Sequence, residues 1–247
     1  MKVSIIMPSY NSSSTIVESV KSVLAQTYCN WELIIVDDCS TDDTYELIQS
    51  FLSDKRITCY RLERNSGAPS SPRNLGIDKS NGDVICFLDS DDIWYPEKLE
   101  AQITYMEDNK LDFTYSTYDI YNIANSTQLT YHPLPFTNYR LSLIKNVIGC
   151  LTVAVRRTCL SDARFKHIGT EDYEFWLRIL KEKNITAHCC SDRALAQYRV
   201  YENSRSSGKL KLIKEHWNIF YNEQRFNVFL ASFVFLKFLF NYFLKYK

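Results

Sequence analysis

The chain has 247 residues, 45% of them hydrophobic, with only six Gly and six Pro, so it can bury one substantial core and is neither fibrous, low-complexity nor disordered. Twenty-nine Lys and Arg balance twenty-nine Asp and Glu, which excludes a generally basic nucleic-acid binder. The balance hides an asymmetry: from Arg205 to Lys247 eight Lys or Arg face two Glu, so this segment carries +6 and the preceding 204 residues carry −6. The eight cysteines are scattered without C-x-x-C or metal-finger spacing, and several sit in apolar runs, which favours free thiols and a reduced, cytoplasmic setting. Residues Met1 to Pro8 are too short an apolar stretch for a secretory signal and read as a strand.

Short apolar runs alternate with helical patterns through the first half, the signature of βαβ units around a mainly parallel sheet. Val3 to Met7 reads as a strand, followed by a polar cluster, Ser9 to Ser14, that supplies cap residues for a helix with Ile16, Val20, Val23 and Leu24 on its apolar face. Leu33 to Val36 is a second strand, ended by Asp37 and Asp38; Thr41 or Asp42 can then cap a helix through Tyr45, Ile48 and Leu52. Ile57 to Leu62 is a third strand, Pro72 suits the first turn of a short helix, and Asn81-Gly82 turns into a fourth strand, Val84 to Leu88. Beyond it, Leu99 to Met106 reads as helix, Phe113 to Tyr118 as one strand, Tyr121 to Pro135 as a turn-rich stretch, Leu151 to Val155 and Ile185 to Cys189 as strands, and Glu171 to Leu180 as a helix between them. The first, second and fourth strands are each followed directly by polar residues, and in open α/β sheets ligands bind at that carboxyl edge.

Asp89-Ser90-Asp91-Asp92 is the densest acidic site. Three carboxylates in four residues repel one another unless solvent or a cation relieves them, and hard divalent ions join one or two carboxylates to a substrate diphosphate. Taken alone, the segment fits better a solvated turn whose Asp caps the next helix. Glu171-Asp172 likewise reads either as an active carboxylate pair or as a helix start with Thr170 as cap.

Seven segments in fixed order resemble glycosyltransferase family 2, the inverting enzymes with the GT-A fold: Val3 to Asn11; Ser19 to Thr27 with Trp31 to Asp42; Asn65-x-Gly67; Pro72-Arg73-Asn74-x-Gly76; Gly82-Asp83; Phe87 to Asp92; and Thr170 to Trp176. The resemblance implies an α/β architecture with a mixed, mainly parallel sheet flanked by helices. A catalytic domain would cover 1–207, binding nucleotide-sugar in 1–118 and acceptor in 119–207, and a helical tail would cover 208–247. It implies that Pro8, Tyr10 and Asn11 line the base and ribose pocket, that Asp38 bonds the uracil, and that Asn65, Arg73 and Asn74, with Arg64, lie beneath the diphosphate sugar. Asp89 would hold the ribose or sugar side and Asp91 would ligate Mn²⁺ or Mg²⁺. Asp92 would stand behind the metal or cap the following helix. Asp172 would be the base that deprotonates the acceptor hydroxyl, with Glu171 and Trp176 positioning the acceptor sugar. Arg199 and Ser204, with Arg205, would meet the diphosphate; the chain has Tyr201 where many relatives carry His.

Phe226 to Lys247 contains seven Phe and two Tyr but no uninterrupted apolar run of the roughly 18 residues a spanning helix needs. Lys237, Asn241 and Lys245 recur every four residues, which suits a basic amphipathic helix lying on a membrane; packing on the catalytic domain or on a second subunit of a homodimer is the other reading. The expected function is transfer of a hexose, from UDP-glucose or UDP-galactose, to a saccharide acceptor on undecaprenyl diphosphate. It would form a β-linkage in bacterial surface polysaccharide, O-antigen or capsule, at the inner face of the cell membrane and without nucleic-acid partners. A metal-dependent nucleotidyltransferase or phosphatase, or a non-catalytic membrane scaffold, are the alternatives. No G-x-G-x-x-G follows the first strand, which argues against a dehydrogenase.

Overall fold

A computed structural model describes residues 1–201 and 209–245, without the side chains of 209–212 and 242–245. The first half builds β1 (Val3–Ser9), α1 (Ile16–Leu24), β2 (Trp31–Asp37), α2 (Thr44–Gln49), β3 (Ile57–Arg61), α3 (Ser70–Lys79), β4 (Val84–Phe87), β5 (Ile93–Trp94) and α4 (Lys98–Asp108). The second half adds β6 (Phe113–Tyr115), β7 (Tyr118–Asn122), β8 (Thr127–Tyr131), β9 (Phe136–Asn138), α5 (Tyr139–Ile144), β10 (Ala154–Arg156), α6 (Arg157–Leu160), α7 (Glu171–Glu182), β11 (Thr186–Cys189), β12 (Ala196–Val200), α8 (Lys209–Asn218) and α9 (Val228–Lys245).

Eight strands form the main sheet in the order β3-β2-β1-β4-β10-β6-β11-β9. β1 runs parallel to β2 and β4, and β2 parallel to β3, so their carboxyl ends share one edge. β10 is antiparallel to β4 and β6, and β9 is antiparallel to β11, which makes the sheet mixed and mainly parallel, as expected. The two-residue period of a strand explains the layering. Val3, Ile5 and Met7 face a core with Ile16, Val20 and Val23 of α1, whereas Ile6 joins Ile77 of α3, Phe87 and α7 on the opposite face. Strands covered on both faces read as continuous apolar runs, which is why β1, β2 and β4 were legible.

Three expectations about strands are corrected. Phe113 to Tyr118 is not one strand: the chain breaks at Ser116-Thr117, β6 stays in the main sheet, and β7 enters a second sheet ordered β5-β12-β7-β8. The stretch from Tyr121 to Pro135 contains β8, paired antiparallel with β7; four of its five residues are exposed, so it shows no hydrophobic pattern. The strand expected from Leu151 shortens to β10, because residues 150–152 form a single 3₁₀ turn. All eight cysteines are free.

Trp176 was expected at the acceptor. It is 1% exposed and packs against Phe87, Phe113, Phe165 and Phe175 with ring centroids 5.1–6.0 Å apart, so no sugar can stack on it. Helical spacing puts residue 176 one turn beyond 172, and the core-facing side of α7 takes it.

The tail packs on the domain and is also bare. Ala231, Val234 and Phe238 of α9 are buried with Leu143, Tyr173, Leu177, Ile219 and Phe220, and Asn241 donates to the Ile144 carbonyl at 3.0 Å. Phe229, Phe233, Leu236 and Phe240, spaced i, i+4, i+7, i+11, are 57–83% exposed on the opposite face. Among the described residues no helix is long and apolar enough to cross a membrane.

Trp176→Ala should lower unfolding free energy by about 3–5 kcal/mol through the cavity it leaves, read as a shifted denaturation midpoint, and Trp176→Phe should recover most of it.

Candidate active site

The carboxyl edge of the parallel strands carries a cavity of about 630 Å³, walled by Pro8 at the end of β1, Tyr10 and Asn11 after it, Asp38 after β2, Asn65 and Gly67 beyond β3, and Asp89, Ser90 and Asp91 after β4. Hydrogen bonds lock each loop. Asn11, at φ +47°, accepts from the Thr41 amide at 2.9 Å. Asp38 accepts from the amide and hydroxyl of Ser66, both at 2.9 Å, and Asn65 caps the Gly67 amide at 2.8 Å. Gly67 holds φ +78°, a conformation without penalty only for glycine, where the loop turns between cavities. Ser90 is tied to Ser12, in the loop before α1, at 2.7 Å and to Ser19 of α1 at 2.9 Å, which fixes the acidic loop.

A second cavity of about 540 Å³ adjoins the first across Gly67, Ala68, Pro69, Arg73 and Asp89, and its far wall is Glu171 and Asp172 with Gly149, Cys150, His167, Tyr198 and Glu215. Arg73, 4% exposed on α3, lies between them: Nη2 donates to Asp89 Oδ1 at 2.6 Å and Nη1 to Glu171 Oε1 at 2.8 Å. One buried cation therefore spans the acidic loop after β4 and the first turn of α7.

Burial and the Asp89 charge push Asp91 up to about 6. Burial, then Asp91, raises Asp92 as well; its Oδ1 accepts from the Arg199 amide at 3.0 Å, so it anchors β12 and does not cap α4. Burial, then Glu171, pushes Asp172 up to about 6, against the opposing pull of Arg73. Among the described residues no three His, Cys, Asp or Glu gather as a protein-only metal site; Asp91 is the acid of this loop that faces the first cavity without an ion-pair partner.

Several expected contacts are redirected. Asn74 exchanges two hydrogen bonds with the Phe165 backbone, at 2.7 and 2.9 Å, and so shapes the approach to α7 instead of lying beneath a ligand. Arg199 spends Nε on the Asp91 carbonyl and Nη1 on Glu18, a partner invisible in the sequence because 181 residues separate them. Thr170 does not cap α7 through its side chain: it sits at φ +51°, unusual for a β-branched residue, with its hydroxyl on the Gly169 carbonyl. Tyr201 lines the first cavity. Ser204 and Arg205 lie outside the described residues. Cys150, His167, Tyr198 of β12 and Glu215 of α8, which also line the second cavity, were missed, since each reaches it singly and a lone residue carries no spacing signal.

The description "Glycosyl transferase family 2" matches residues 4–160. The chain is 44% identical over 218 residues to the Escherichia coli UDP-Glc:α-D-GlcNAc-diphosphoundecaprenol β-1,3-glucosyltransferase WfgD, covering 88% of this chain and 84% of that protein. It is 37% identical to the putative teichuronic acid biosynthesis glycosyltransferase TuaG of Bacillus subtilis, covering 96% and 94%. The fold is that of residues 1–349 of S. aureus TarS solved with UDP-GlcNAc, at TM-score 0.74, 22% identity, and 97% and 72% coverage; the chain spans 43% of the longer TarS structure. With its GT-A sheet, its acidic loop after β4 and a family match over well more than half its length, the chain belongs to glycosyl transferase family 2.

Proposed function

We propose that this protein transfers glucose from UDP-glucose, with inversion, to a sugar hydroxyl of a saccharide carried on undecaprenyl diphosphate, forming a β-linkage in O-antigen or capsule synthesis. The observation that carries this reading is the Arg73 bridge, which joins a cavity for the donor to a cavity for the acceptor with one carboxylate of each on its two arms. The names of the 44% and 40% identical relatives, both UDP-glucose-dependent β-1,3-glucosyltransferases acting on GlcNAc-diphosphoundecaprenol, support the donor and acceptor class.

In the proposed reaction the nucleotide lies against Pro8, Tyr10, Asn11, Asp38 and Asn65, with Asp89 and Arg73 beneath the sugar. Asp172 takes the proton of the attacking hydroxyl as its oxygen bonds to C1; the bond from C1 to the diphosphate oxygen breaks, and its electron pair leaves with UDP. Attack opposite an α-linked leaving group gives the β-product. The crowded aspartates fit a cation: Asp91 would hold Mn²⁺ or Mg²⁺ jointly with the donor diphosphate, where such an ion supplies charge for the leaving group. Glu171, held by Arg73, fixes the orientation of the α7 turn that presents Asp172.

We also place the bare face of α9 on an anionic bilayer. The Phe229-Phe233-Leu236-Phe240 strip is apolar, Lys237 flanks it, and no acid follows Glu223 in the sequence.

Asp172→Asn should reduce turnover by roughly 10²–10⁴-fold while UDP affinity is retained, measured by UDP release and by calorimetry. Since the base works only as carboxylate, kcat/KM should fall as pH drops through about 6. Arg73→Gln removes a charge that favours the ionised form, so it should move this acidic limb to higher pH. Asp91→Ala should abolish divalent-ion dependence of UDP release with UDP-glucose, and UDP-galactose should be the poorer donor. Replacing both Phe229 and Phe240 by Ser should weaken binding to phosphatidylglycerol vesicles by roughly tenfold or more without changing the melting temperature.

A further inference from the structure

Arg199 grips the acidic loop from behind. β12 pairs antiparallel with β5, Ala196 beside Trp94 and Gln197 beside Ile93, and so runs on to the loop that precedes β5. There the Arg199 amide donates to Asp92 Oδ1 at 3.0 Å, and Nε donates to the Asp91 carbonyl. Nη1 pairs with Glu18, in the first turn of α1. The arginine side chain is 8% exposed and the Glu18 side chain 65%. Arg199 is not among the described residues that wall either cavity, so its reach is toward the loop and α1 rather than toward a ligand.

The loop is fastened residue by residue. Arg73 takes the Asp89 carboxylate, Ser12 the Ser90 hydroxyl, and Ser19, the neighbour of Glu18, the Ser90 carbonyl. The Asp92 carboxylate is spent on β12. Asp91 differs, since its carboxylate faces the first cavity without an ion-pair partner and only its backbone is tied, by Arg199. A ligand atom must be held within about 0.5 Å to serve a cation well, and groups behind a ligand set its orientation. A guanidinium this buried also needs an anion, and Glu18 supplies it from the outer side.

We propose that Glu18 and Arg199 are positioning residues for a divalent cation at Asp91. The Glu18 carboxylate holds the Arg199 guanidinium against the Asp91 carbonyl, and this keeps the Asp91 carboxylate directed into the donor cavity. The inference rests on the transfer reading above and adds two residues that touch neither nucleotide nor sugar.

The test reads binding, not turnover. UDP is titrated calorimetrically into the full-length chain with excess Mn²⁺ and, separately, with EDTA. Glu18→Gln, a change at an exposed position, should weaken UDP binding in Mn²⁺ by roughly three- to tenfold, the scale of a partly exposed ion pair, and leave binding in EDTA unaltered. In the Asp91→Ala background the same substitution should cost nothing. Native Mn²⁺-dependent affinity in Glu18→Gln overturns the proposal, as does an equal loss in EDTA, or a native chain whose UDP affinity ignores Mn²⁺. Tighter binding in Glu18→Gln also overturns it, since a guanidinium released from Glu18 would then be meeting the diphosphate itself. A Glu18-sensitive Mn²⁺ effect without hexosyl transfer from any UDP-hexose would sink the transfer reading and leave the clamp standing. Transfer with native Mn²⁺ dependence in Glu18→Gln would do the reverse.

Discussion

Burying a guanidinium is tolerated only where carboxylates compensate it, and Arg73 has two. Each comes from a different part of the chain: Asp89 ends the fourth parallel strand, and Glu171 opens a helix 82 residues later. Removing the arginine would leave two carboxylates facing each other in a poorly solvated crevice, at a cost of about 3–5 kcal/mol. A single residue of α3 therefore joins the acidic loop of one cavity to the α7 wall of the other. Its Nε, buried without a hydrogen-bond partner, marks how far local satisfaction yields to this bridging task.

The carboxylates that interact with Arg73 also divide the electrostatic labour. Asp91 and Asp172 are both pushed up to about 6 by burial and then by a neighbouring carboxylate, Asp89 for Asp91 and Glu171 for Asp172, with Arg73 pulling both the other way. The first suits a cation that relieves crowding, the second a base poised just below neutrality. Asp37, by contrast, lies fully buried in the same strand-end row and is engaged by Ser40 and Arg61, so adjacency in sequence to Asp38 says little about role.

The parallel core was legible because strands covered on both faces must be apolar throughout, and the acidic loop was legible because it ends such a strand. What the sequence did not disclose has equally physical causes. β8 is exposed and lacks a hydrophobic period; the break between β6 and β7 comes at Ser116-Thr117, with no Gly or Pro to mark it. Trp176 and Asn74 carry residue types common in sugar sites, but their helices turn them toward Phe rings and the Phe165 backbone. Glu18 meets Arg199, and Glu215 lies against Gly169, across long sequence separations, which no local pattern encodes. The tail gave a half-answer: composition revealed an aromatic helix, and only packing separates the inward Phe238 from the outward Phe229 and Phe240.

That division of α9 sets a length scale. Its inner face is fastened to Tyr173, the residue after Asp172, so if the outer face rests on lipid as proposed, only one helix diameter, roughly 10 Å, separates the bilayer surface from the turn that bears Asp172. On that proposal the molecule would behave as a gauge. Acceptors whose terminal sugar stands one or two residues above the diphosphate would reach Asp172 without bending, whereas a longer glycan would have to fold back or lift the helix off the lipid. Early steps of chain assembly would then be favoured over late ones by height alone.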